Sequence, residues 1–251
     1  MNMKKKVATL GLVAAMLLTS AGATLAYFTD TDTDTNVMTM GGVEIRQDEW
    51  MRNEDLSALV EYKDQTLLPA VIYDANGKPT SAWGTSAYVE DTTHQYSVEG
   101  LDDTFQMPDT NRMRNVVDKV VAVTNTGKSD AYVRTILLIQ DDEKNVMPNL
   151  EMMYDSNVSP NFVGYVTIEN VQYYVIEFIY ADAIAANETT LPSAMAFWMN
   201  PAAEENTVPG TFNIIAYSQA VQVDGFDNAE VALDTAFGDV TTANTAWYVT
   251  K

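Results

Sequence analysis

Two apolar runs a few residues apart constrain this chain more than anything else in it. Val116 to Thr124, VVDKVVAVT, and Ala131 to Gln140, AYVRTILLIQ, are rich in β-branched residues, and Asn125-Thr126-Gly127-Lys128-Ser129 between them has turn composition. Val and Ile lose side-chain freedom in a helix and pack well on a pleated surface, so both runs are expected as strands. The five-residue connection predicts that they pair as a hairpin.

Further runs of the same kind lie at Phe162–Glu169, Val171–Ala181, Ala194–Met199 and Thr211–Val223, with Asn170 expected in a tight turn. Asn36 to Arg46 reads as an extended segment with a bend or bulge at Gly41-Gly42. Leu67 to Tyr73 reads as a strand, Asp74 to Pro79 as a turn, and Asp55 to Val60 as a short helix. Residues 74–112 hold Gly, Pro, Asp, Thr and scattered aromatics without a sustained period, and are expected to form a loop-rich insertion rather than a second domain. Near the C-terminus the pattern changes. Asp227 or Asn228 can cap a helix whose face is Ala229, Ala232, Leu233, Ala236 and Phe237, with Gly238 closing it. Many strands, few helices and no βαβ alternation predict an all-β fold, an antiparallel β-sandwich of jelly-roll type with one or two short helices.

The N-terminus has a different grammar. Lys4-Lys5-Lys6 precede an apolar run from Val7 to Leu18 and a small-residue tail ending at Ala26, the three parts of a secretory signal peptide. Cleavage is expected between Ala26 and Tyr27, with Ala23 as the second choice; the competing reading is an uncleaved membrane anchor. The expected organisation is therefore a signal peptide at 1–26, a candidate donor strand at 27–42, and a domain over 43–251.

Cleavage would remove three of the 14 basic side chains and none of the 35 acidic ones, leaving a net charge of −24. Nucleic acid and anionic lipid need Lys/Arg clusters, so both are expected to be excluded as partners. With 47% apolar residues the chain can still bury a large core. It contains no cysteine, so neither disulfides nor thiolate metal sites support it.

Chemistry is sparse. His94 is the sole histidine, and a zinc protease site needs two histidines one helical turn apart with a glutamate between them. No catalytic, metal or cofactor residue is expected. Lys119 and Lys128 lie in strand and turn contexts that any fold tolerates. Asp30, Asp32 and Asp34 alternate, but Thr35 and Gly41 stand where a calcium loop requires Gly and Glu; a solvated tract is the simpler reading, weak divalent-cation binding the alternative.

The junction LAYFTDTDTDTNVMTMGGVEI (25–45) resembles the start of the TasA/camelysin family, exported proteins of Gram-positive bacteria processed by a dedicated signal peptidase. Residues 116–135 and 216–239 are similar to its clostridial branch. The resemblance implies a jelly roll, export and, as in TasA itself, assembly into biofilm-matrix fibres. The expected function is thus a secreted structural subunit at the cell surface or in the extracellular matrix, a homo-oligomer without a stable membrane anchor. Its N-terminal strand would add to the open sheet edge of the next subunit, with Tyr27, Phe28, Val37, Met38 and Met40 as anchors. The alternatives are a camelysin-like surface metalloprotease and a monomeric adhesin or glycan binder stacking sugars on Trp50, Trp83, Trp198 or Trp247.

Overall fold

The computed structural model describes residues 26–27, 37–40, 43–84, 87–203 and 212–248, the first two stretches by their backbone. In chain order the strands are β1 (Ala26–Tyr27), β2 (Val37–Met40), β3 (Ile45–Arg52), β4 (Leu59–Glu61) and β5 (Thr66–Leu67). Then come β6 (Val71–Tyr73), β7 (Pro79–Thr80), β8 (Met113–Arg114), β9 (Val117–Asn125) and β10 (Ala131–Gln140). Last are β11 (Leu150–Met153), β12 (Pro160–Ile168), β13 (Val171–Ile179), β14 (Ala194–Met199) and β15 (Ile214–Gln222), followed by helix α1 (Ala229–Phe237).

Two five-stranded sheets stack into a sandwich. One has the order β12-β13-β10-β15-β2, the other β11-β14-β9-β3-β4; β7-β6-β8 and β1-β5 form small accessory sheets. The core between the large sheets includes Val121 and Val123 of β9, Val133 and Leu137 of β10, Ile176 and Phe178 of β13, Phe197 of β14 and Ala216 of β15.

β9 and β10 are both strands, but they do not form a hairpin. β9 pairs with β3 and β14, β10 with β13 and β15, so the connection crosses from one sheet to the other. At the crossing, Thr126 N–H and Gly127 N–H donate to Glu44 O, and the Asn125 amide donates to Ser129 O and Ile184 O. Sheets pack about 10 Å apart, a gap that five residues span as readily as they turn a hairpin.

The other hairpin stands as expected. β12 and β13 pair antiparallel with Ile168 opposite Val171, and Glu169 and Asn170 both take left-handed backbone, φ 51° and 68°, the values of a type I′ turn. Residues 36–46 instead divide between the sheets, β2 in one and β3 in the other. No helix forms at 55–60: Asp55 accepts from Ser57 N–H and Oγ–H, Asn53 accepts from Ala58 N–H, and β4 follows. Short polar side chains here satisfy the backbone more locally than a helix would. The run at 67–73 breaks into β5 and β6 around Pro69, which cannot donate to a ladder.

β9, β14 and most of β10 and β15 are buried on both faces, which is why they read as continuous apolar runs. Over the outer face of the β9 sheet lies the segment 70–113, where Ala87, Tyr96, Phe105, Met107 and Met113 pack on Val120, Ala196 and Trp198. Helix α1 covers part of the opposite outer face, burying Ala229, Ala232, Leu233 and Phe237 on Tyr132 and Val221. Asn228 caps it by accepting from Val231 N–H. Beyond α1, Val240 and Trp247 pack on Ile136, Leu138 and Tyr217. Among the described residues no helix is long and apolar enough to cross a membrane.

Candidate functional site

The residues expected to join subunits fall in two separate pieces within one chain. Ala26 and Tyr27 form β1, which runs antiparallel to β5 with Tyr27 opposite Thr66. Val37, Met38 and Met40 belong to β2, which runs parallel to β15, opposite Ser218, Gln219 and Val221. Phe28 and the acidic tract at Asp30, Asp32 and Asp34 lie outside the described residues, as does the apolar run expected to be a signal peptide. The β2–β15 pairing is the one parallel ladder among the described strands. Parallel ladders are slightly weaker per residue than antiparallel ones, and β2 contributes four residues at the edge of its sheet. Without β2, the backbone of β15 from Ser218 to Val221 would be a free sheet edge.

Behind that edge a polar chain crosses the core between the sheets. Ser218 Oγ–H donates to Gln47 Oε1 at 2.6 Å, and Ser218 also meets Thr135 Oγ1 at 3.1 Å. Gln47 Nε2–H donates to Ala216 O and to Glu49 Oε1, both at 3.2 Å. Glu49 Oε2 in turn contacts Lys119 Nζ, and the Tyr62 ring centroid lies 4.3 Å from that nitrogen. The one signal of this chain in the sequence is Asp118-Lys119 interrupting an otherwise apolar strand; a strand context alone does not reveal that Lys119 faces inward, because periodicity does not say which face is buried.

The other buried charges are fasteners. Arg134, fully buried on β10, donates to Gln219 Oε1, Glu177 Oε1, Asp234 Oδ1 and Gly238 O, tying the C-terminal end of α1 to the sheet. Burial pushes the Glu177 carboxyl above its ordinary range, against the opposing hydrogen bond from Asn161 and the charge of Arg134. Arg52 makes a bidentate pair with Asp118 and donates to Pro108 O. Asp141 accepts from the backbone N–H groups of Asn145, Val146 and Met147 and from Tyr165 Oη–H, closing a loop.

His94 lies within the insertion, its Nδ1 2.6 Å from Asp91 Oδ2. Burial raises the Asp91 carboxyl, but hydrogen bonds from Thr93 and His94 outweigh it and hold the group well below the usual carboxylate range. Among the described residues no three His, Asp or Glu side chains converge as a metal site. Of the tryptophans, Trp198 and Trp247 are buried and unavailable for stacking. Trp83 and Trp50 are half-buried, and Trp50 lines a cleft of about 480 Å³ with Arg46, Asp48, Gln95 and Glu99. Set against protein-family models, curated proteins and solved structures, the chain has no match in any of the three.

Proposed function

We propose that this protein is an exported structural subunit that assembles with copies of itself through its N-terminal strand, the role implied by its resemblance to the TasA/camelysin family. The observation that carries the reading is β2: a four-residue parallel strand at the N-terminal end of the chain, held on the edge of an otherwise antiparallel sheet. Such a strand can leave β15 and be replaced by the equivalent strand of another copy, because the backbone groups of Ser218 to Val221 then regain partners. The jelly-roll reading rests on the family resemblance, and the two stacked, largely antiparallel sheets agree with it at the level of a β-sandwich. Export with cleavage after Ala26 rests on the signal-peptide grammar, and the absence of cysteine suits an extracellular protein that dispenses with disulfides.

The reading is tested with the secreted protein. Its mass is expected to give Tyr27 as first residue, and electron microscopy of the same fraction is expected to show filaments. Removal of residues 27–40 is expected to leave a folded monomer that binds a peptide of that sequence, and Phe28→Asp with Met38→Asp to weaken both that binding and filament growth. Equal polymerisation of the shortened and intact proteins would sink the reading. A second reading, a glycan-binding surface protein, is favoured by the polar cleft at Trp50; Trp50→Ala would abolish retention on a polysaccharide column without touching filament growth.

A further inference from the structure

The Lys119–Glu49 pair does more than neutralise two charges. Both side chains are 1% exposed, and they stand on adjacent antiparallel strands, Glu49 opposite Val121 and Lys119 two residues along on the same inward face as Val117 and Val121. Taking two ions out of water is costly before attraction returns any of it, so a pair so placed is a weak source of stability while it stays ionic. Its atoms are also fixed in place by their neighbours. Nζ touches one carboxylate oxygen, Oε2, while the other, Oε1, accepts from the Gln47 amide, which is fixed from the opposite sheet by Ala216 O and Ser218 Oγ. The two oxygens of Glu49 are thereby distinguished, one beside the amine and one against a hydrogen-bond donor.

We infer that Lys119 and Glu49 join as an intramolecular amide, a covalent cross-link between β3 and β9. Across their contact one proton passes from Nζ to Oε2, giving an amine and a carboxylic acid. Nζ then attacks Cδ, and charge developing on Oε1 meets the Gln47 N–H. The amine yields a second proton to Oε2, the Cδ–Oε2 bond breaks, and one water leaves. Ammonium plus carboxylate become amide plus water, with no oxidant or further reactant. Fixed side chains replace a bimolecular encounter, for which effective molarities reach about 10⁵–10⁸ M, and departure of water from an apolar core opposes reversal. The bond would close a loop between residues 70 apart in sequence, encircling the whole insertion in a chain that has no cysteine for the purpose. It stands independently of the fibre reading.

Intact mass spectrometry of the purified full chain decides the matter. The protein is expected to be lighter than its sequence by one water, about 18 Da, with a branched peptide after digestion joining the segments that hold Glu49 and Lys119. The double variant Lys119→Met with Glu49→Leu replaces the pair by apolar side chains, which buried ion pairs commonly tolerate. It is expected to regain its full sequence mass and to melt at a lower temperature; comparing the two proteins cancels any N-terminal processing. A parent protein of full sequence mass would overturn the inference, and so would a lost water mapped to any other pair of residues. If the double variant fails to fold, the mass and digest of the parent protein still distinguish an amide from an ion pair.

Discussion

The two outer faces of the sandwich are covered by opposite means. Over the β9 sheet, the insertion is held mainly by apolar contact: Phe105, Met107 and Met113 sit against Val120 and Trp198, while the buried Arg52 gives its bidentate pair to Asp118 of the neighbouring strand and reaches the insertion at Pro108 O and Tyr96. Over the β10 sheet, Arg134 bonds to the cover itself, at Asp234 and at the carbonyl of Gly238. A helix of nine residues buries little area, and its last carbonyls need partners. The buried Arg134 guanidinium anchors the helix end at Asp234 and gives the Gly238 carbonyl a partner, whereas the longer insertion brings more apolar surface and relies less on such bonds.

The largest expected effect sharpens that contrast. Arg134→Met should destabilise the protein by about 3–5 kcal/mol, because Glu177 is left buried beside an apolar group and the end of α1 loses its anchor. Proteolysis or hydrogen exchange should localise the opening to residues 229–248; uniform loosening of both faces would break the comparison. Met107→Ala, fully buried in the other cover, should cost about 2–3 kcal/mol, near the low end for such truncations because irregular chain can close around the space. Its opening should be confined to the insertion, read by the same exchange measurement. Asn228→Ala, which removes the helix cap, should cost about 1 kcal/mol and lower melting of the C-terminal cover alone.

The smallest effect is on pH, and its sign differs between the faces. Glu177 titrates above its ordinary value in the folded state, so the folded protein binds that proton more readily than the unfolded chain; stability there rises as pH falls from neutral through the folded pKa. Asp91 titrates below its ordinary value, so its contribution is complete above about pH 4 and declines on further acidification, as the unfolded chain takes the proton first. Acidification should therefore open the insertion before the C-terminal helix. Exchange rates measured stepwise from pH 6 downward would check this, and earlier opening of the helix would contradict it.

Local chemistry made much of this architecture legible. The two-residue turn at Glu169 and Asn170, the helix from Ala229 with its Asn228 and Gly238 ends, and the strand at Ala194–Met199 all follow from side-chain preferences within a few residues of each other. Neighbour relations did not. VVDKVVAVT and AYVRTILLIQ are adjacent in the chain and lie in different sheets, while β2 sits beside β15 from the far end of the sequence. The candidate edge was legible only in part: Val37, Met38 and Met40 were visible as extended chain, but nothing near them specifies Ser218 to Val221 as their partner.

Local sequence alone set the long strands, the turn at Glu169-Asn170 and the helix from Ala229, because those choices are settled by dihedral preference and hydrophobic period over a handful of residues; at 55–60 and 67–73 it did not suffice. Only the tertiary structure decided which strands share a sheet, why β9 and β10 are apolar on both faces, and that Lys119 lies against Glu49 in the core. Those outcomes depend on contacts between residues from about 30 to well over 100 apart, whose pairing is set by how two outer covers and two sheets together exclude water, not by any local pattern.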